Sequence, residues 1–205
     1  MQSPPVVPYI TAHENEPTLL PPVLRRHGPE GPFLGFVDEA SYDRDGWGAL
    51  WTRQALVPAG RRGRPRLERV HALRQRRAMW DALCQVCGKS LGNEDRYLFL
   101  MRDAGRPIGE RERTTSPPVC VPCARISLEA CPHLRKGAVA AWVNDFPVWG
   151  VAGVAYDPET LEVIPGDDLV DVRYDSEELR WVVAARRIVS LHGVEPVDLG
   201  KLHAA

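Results

Sequence analysis

Between Leu67 and Leu83 the apolar residues Val70, Leu73, Trp80 and Leu83 fall three positions apart, save one gap of seven. Neither Gly nor Pro interrupts that run, LERVHALRQRRAMWDAL. The spacing predicts a helix, the clearest in the chain, with Trp80 on its apolar face and in the core. Upstream, PFLGFVDEA and WGALWTRQALV mix apolar and polar residues at strand spacing. SYDRDG between them has the composition of a turn, so a β-hairpin is expected there. Residues 1 to 31 are punctuated by Pro in SPPVVP, EPTLLPPVL and GPEGP, which excludes long helices and leaves loop or edge strand.

Downstream of residue 83, RYLFLMRD reads as a strand, AGRPIG as a turn and ERERTTSPPV as the returning strand. CVPCARISLEAC reads as a short helix that ends near Pro132. AVAAWV, VWGVAGVAY, TLEVI and DLVDVRY are four further expected strands, separated by the turn residues of NDFP, DPE and PGD. LRWVVAARRIVSLHGVEPV fits helix or strand, and its β-branched content favours strand. The sum is an α+β fold, a β-rich body with a few short helices. Three regions are expected: a Pro-rich β region over 1–66 ending in a basic loop, a cysteine-bearing module over 67–136, and a β-rich region over 137–205. Integration of all three into a single domain stays open.

Composition changes the picture in two ways. The longest apolar runs are about half of the roughly eighteen residues that span a membrane, and MQSPPVVPYITAHENEP has neither the basic nor the apolar segment of a secretion signal. A cytoplasmic protein with no membrane association is expected. Second, the net charge of −1 hides a strong asymmetry. Residues 61–77 hold eight Arg and one Glu, whereas 157–180 hold nine acids and two Arg. Such polarity suits a basic binding face with an acidic counterweight, or two segments that face each other.

Four of the five cysteines form two pairs, Cys84-x-x-Cys87 and Cys120-x-x-Cys123, with 32 residues between them. Each pair lets one turn present two sulfurs to the same ion, and two such turns complete a tetrahedral shell with Zn–S near 2.3 Å. Gly88 suits the turn after the first pair. One zinc held by Cys84, Cys87, Cys120 and Cys123, with no open coordination position, is therefore expected as a structural ion; an iron–sulfur cluster also accepts four thiolates. A thioredoxin-like redox pair lacks its βαβ frame. Cys131 lies about 12 Å along a helix from Cys123, too far to share the ion, and is expected as a small buried apolar residue. A nucleophile pair of Cys131 with His133 is the enzymatic alternative.

The order of knuckle, β-hairpin and second C-x-x-C at a helix start resembles a treble-clef zinc finger of the kind found in many HNH endonucleases. The resemblance covers residues 80 to 135. It implies a zinc scaffold and not cleavage, because residues 88 to 119 contain no histidine to match the general base of those nucleases. The cysteine layout, together with 23 Arg against 3 Lys, also resembles small zinc-ribbon proteins of actinobacteria and their phages, a likeness that implies no activity.

Arg62-Gly63-Arg64-Pro65 matches the core of an AT-hook, in which an extended peptide lies in the minor groove. More general phosphate contact by Arg61, Arg62, Arg64, Arg66, Arg74, Arg76 and Arg77 is expected. Trp47 and Trp51 are expected in the core, with base stacking as the alternative. No Walker-type or dinucleotide-binding glycine motif occurs, so no nucleotide cofactor is expected. These features together predict a non-catalytic zinc protein that binds nucleic acid, DNA first. The alternatives are a zinc-stapled protein–protein adaptor or regulatory factor, and an enzyme using Cys131 and His133.

Overall fold

The computed structural model describes residues 6–92, 94–166 and 168–200. Its strands are, in chain order, β1 (Thr11–His13), β2 (Thr18–Leu19), β3 (Val23–Gly28), β4 (Gly31–Phe36), β5 (Leu50–Trp51), β6 (Arg53–Gln54) and β7 (Pro65–Val70). They continue as β8 (Tyr97–Arg102), β9 (Arg113–Thr114), β10 (Ala138–Val143), β11 (Val148–Ala155), β12 (Val170–Arg173), β13 (Val182–Ser190) and β14 (Glu195–Val197). Two α-helices are found among the described residues, α1 (Ala72–Trp80) and α2 (Val121–Ala130). The fold is β-rich, as expected. The chain forms two compact units, each assembled from separated segments. Of the described residues, the first takes those in 6–12, 65–148 and 189–200, and the second takes those in 13–64 and 149–188. Strand pairing between distant segments is the reason, and such pairing leaves no mark in local composition.

In the first unit, β10 runs antiparallel between β14 and β8, with Ala138 opposite Arg102 and Val143 opposite Tyr97. Alternate residues serve two cores. Leu98, Leu100 and Ala140 pack with Cys84, Val86, Val119 and Ala124. Phe99, Ala141 and Val143 pack with Met79, Ile108, Val189 and Leu191. A sheet covered on both faces accounts for the unbroken apolar runs YLFLM and AVAAWV. The expected return strand over ERERTTSPPV is only β9, and it pairs with Val189 and Ser190 of β13 rather than with β8. No ladder forms between that segment and β8, which is the edge strand of its sheet; the segment reaches β8 at its end, where the Val119 N–H donates to the Leu98 carbonyl at 2.8 Å.

The helix expected from Leu67 starts later. Residues 65–70 are strand β7, paired with β1, and the His71 N–H donates to the Ile10 carbonyl at 2.7 Å before α1 begins. The buried face of α1 is Ala72, Arg74, Gln75, Ala78 and Met79. Arg74 and Gln75 are admitted because they donate to the carbonyls of Thr11 (2.6 Å) and Thr115 (2.7 Å). Trp80 is consequently rotated outward and is 62% exposed, against the core position expected of it. Helix α2 ends at Ala130, as the Pro after Cys131 predicts.

In the second unit, β4 pairs back onto β3 across Pro29–Glu30, from Gly28 opposite Gly31 to Val23 opposite Phe36. The expected hairpin with WGALWTRQALV does not form, because the strands of that segment pair elsewhere. That segment instead gives β5, parallel to β13, and β6, antiparallel to β2. Strands β12, β11, β13 and β5 follow in that order, and the ambiguous segment is strand over Val182–Ser190. TLEVI contributes a single bridge, Val163 to Tyr156. Leu34, Phe36, Leu50, Tyr156 and Val183 form one core, and Ala49, Trp51, Val151, Leu179 and Ala184 another.

Around the second core, Tyr174 donates its hydroxyl to Asp45 at 3.0 Å, and burial pushes its pKa up from the ordinary 10.0 to about 12. The unfolded chain releases this proton near 10.0 and the folded one near 12. In that window the folded state holds the extra proton, so stability falls as pH rises through it and the contribution is fully present below it. Urea midpoints taken on both sides of the window should show this fall, and Tyr174→Phe should flatten it. A wild-type slope no steeper than the variant's would refute the assignment.

Candidate metal centre

The first cysteine pair sits in a turn fastened from three directions. The Cys84 N–H donates to the Lys89 carbonyl and the Gly88 N–H to the Cys84 carbonyl, each at 2.8 Å. Gly88 has φ +71, and a Cβ there would lie 2.9 Å from the Tyr9 ring. Only glycine meets both demands. Tyr9 and Ile10 donate their N–H groups to the carbonyls of Val86 and Gln85, and Gln85 donates to Pro118. The segment holding Tyr9 thus straps the knuckle, a role that no local sequence signal announces.

The second pair belongs to α2. Cys120 is its N-cap in extended conformation and Cys123 lies in its first turn, where the helix dipole favours thiolate. The Cys120 N–H donates to the Cys84 sulfur at 3.4 Å, which ties the second pair to the first. All four sulfurs lie within 4.8 Å of one another, and those of Cys87 and Cys120 are 4.0 Å apart. A tetrahedron with bonds of about 2.3 Å has edges of about 3.8 Å. Every cysteine in the chain is a free thiol. Burial pushes the Cys123 thiol well above its usual range, and Cys120, Cys84 and Cys87 push it the same way. Four ionised sulfurs at this spacing repel one another, and a cation among them turns that repulsion into attraction. The donor set can hold a metal ion.

Cys131 stands outside the set. It is the half-buried C-cap of α2 rather than a fully buried residue, and no hydrogen bond joins its side chain to the exposed His133 among the described residues.

The arginines divide between the units. In the second, Arg61 and Arg64 are exposed, while Arg62 donates to the Val57 carbonyl at 2.9 Å and lies 3.5 Å from the buried Glu16. The AT-hook reading fails on backbone grounds. Gly63 turns at φ +74, and the flanking carbonyls of Arg62 and Arg64 accept from Asn15 and Glu14, so the peptide is bent and pinned rather than extended and free. In the first unit Arg66 and Arg77 are exposed, Arg76 is half-buried and Arg74 is only 3% exposed. Its bond to Thr11 removes Arg74 from any phosphate-contact set. Arg77 pairs with Asp81 at 3.1 Å. Arg69, one of the eight Arg of 61–77 but not among the seven expected phosphate contacts, is exposed on β7, as is Arg66.

The acidic residues of 157–180, Asp167 excepted because it lies outside the described residues, belong to the second unit. Within that unit a cavity of about 690 Å³ is lined by Phe33, Trp47, Tyr174, Arg44, Glu177 and Arg180 among others. Trp47 is 41% exposed and stacked on Tyr174 at 4.8 Å, whereas Trp51 is in the core as expected. No helix among the described residues is long and apolar enough to cross a membrane. Compared with protein-family models, curated proteins and solved structures, the chain matches none.

Proposed function

We propose that the protein is a non-catalytic zinc protein that binds nucleic acid, with DNA the first candidate. The donor set supports zinc, because four thiolates on two short turns suit a closed tetrahedral site, and sulfurs within 4.8 Å leave room for one ion rather than a multi-iron cluster. The knuckle and the helix that starts at the second pair support a treble-clef-like element whose hairpin is reduced to the bond from the Val119 N–H to the Leu98 carbonyl.

The observation that carries the nucleic-acid reading is that the unit holding the four sulfurs also exposes Arg66, Arg69 and Arg77, with residues 65–69 of β7 exposed throughout. Arg61 and Arg64 add exposed charge from the second unit. Phosphate neutralisation needs accessible guanidinium groups and no particular base chemistry.

The test is fluorescence anisotropy of a labelled duplex across a salt series. Each arginine–phosphate contact adds about 0.9 to the log–log slope, so contacts by Arg66, Arg69 and Arg77 give a slope of about 3. The double variant Arg66→Ala, Arg77→Ala should lower it by about 2. Absence of binding at low salt would overturn the reading. It would leave a protein–protein adaptor, for which the aromatic cavity at Trp47 and Tyr174 is the specific support.

A further inference from the structure

The four sulfurs are not equally sheltered. Cys84 is fully buried and Cys123 is 7% exposed, whereas Cys87 is exposed and Cys120 partly so. The two less sheltered cysteines come from different C-x-x-C pairs, and their sulfurs lie 4.0 Å apart. A cavity of about 200 Å³, lined by Arg96, Tyr97, Val121 and Trp142 among others, adjoins Cys120. The Cys84 sulfur, by contrast, is enclosed and accepts the Cys120 N–H, a bond that draws electron density from it.

We propose that the centre is also an oxidation site, at which a peroxide converts Cys87 and Cys120 into a disulfide linking the two knuckles and so releases the ion. The inference rests on the zinc reading, since the ion is what the oxidation would release. The Cys87 thiolate attacks one peroxide oxygen; the O–O bond breaks, giving a sulfenic acid at Cys87 and releasing hydroxide. The Cys120 thiolate then attacks the Cys87 sulfur, forming the S–S bond and expelling a second hydroxide. Two sulfurs are oxidised by two electrons in all, both peroxide oxygens are reduced, and two protons from solvent convert the hydroxides to water. Closing 4.0 Å to a bond of about 2.05 Å draws both sulfurs out of the tetrahedron. Cys84 and Cys123 alone make a poor site, and the ion leaves. A dithiol reductant returns both thiols and lets the site refill.

The probe is hydrogen peroxide, added to the reduced, zinc-loaded full chain. Metal content is measured first, ion release is followed with a metallochromic chelator, and disulfides are mapped by mass spectrometry after alkylation of the remaining thiols. The expected result is one ion released per Cys87–Cys120 disulfide, with Cys84 and Cys123 recovered as alkylated thiols and zinc binding restored by dithiothreitol. Cys131 is an internal reference, a half-buried thiol outside the cluster; Cys87 should react about tenfold faster or more. Cys131→Ser should leave both release and pairing unchanged. Disulfides within either pair, Cys84–Cys87 or Cys120–Cys123, would overturn the proposal. So would retention of zinc at a peroxide dose that oxidises Cys131. A reduced protein that holds no zinc would instead refute the zinc reading on which the proposal stands.

Discussion

Cys84→Ser is expected to leave the cysteine-bearing unit unfolded at 25 °C, with amide protection lost across residues 83–143. Cys84 is the fully buried member of the set, its sulfur accepts the Cys120 N–H, and it belongs to the core that also holds Leu98, Leu100, Val119 and Ala124. Structural ions in small modules contribute on the order of 10 kcal/mol of folding free energy, comparable with the whole 5 to 15 kcal/mol or so by which domains are stable. Losing one ligand therefore removes the margin. Chelation of the wild-type protein should reproduce the same loss, and hydrogen exchange read by mass spectrometry checks both. Cys131→Ser is the control. Its side chain is half-buried and outside the cluster, so a change within about 0.5 kcal/mol is expected. Unchanged protection in the Cys84 variant would show that the sulfurs do not hold this unit together.

Asp45→Ala should cost about 3 to 5 kcal/mol, the largest effect expected in the second unit. One carboxylate oxygen accepts the N–H groups of Trp47 and Ala49, while the other accepts the Trp51 indole at 2.9 Å and the Tyr174 hydroxyl at 3.0 Å. The Arg187 guanidinium lies 3.5 Å from the same carboxylate and over the Trp47 and Trp51 rings, and the side chains of both partners are 3% exposed. Removing the acid leaves a buried cation without its counter-charge and polar donors short of an acceptor. Asp45→Asn keeps an acceptor and gives up the charge, so it should fall between wild type and Asp45→Ala. Urea denaturation reads the difference. A loss below about 1 kcal/mol for Asp45→Ala would mean that the site relaxes around the gap.

How much of this is legible in the sequence depends on how local the physics is. The four candidate ligands are legible, because a C-x-x-C turn is a chemical device complete within four residues and two of them at 32-residue separation have few other uses. Helix α2 is legible for the same reason, since it is bounded by its own cap and by Pro132. Strands β8, β10, β11 and β12 announce themselves by composition. The start of α1 does not, because the pairing of β7 with β1 and the bond from His71 to Ile10 override a helical spacing that runs from residue 67. Trp80 is misplaced because the face that packs carries Ala72, Gln75, Ala78 and Met79, and Trp80 lies off it.

The sequence by itself determined the chemistry of the cysteine cluster, the β-rich class and the reserve of arginine, for each follows from residue types acting at short range. Tertiary structure alone decided the rest. It brought Tyr9 over the first knuckle, set Asp45 against Tyr174 and Arg187, and gave β8 its partner in β10. It also sorted the arginines, burying Arg74 while leaving Arg66 and Arg77 exposed. Burial and long-range pairing are properties of the whole chain, set by which distant segments exclude water together, and no window along the sequence contains them.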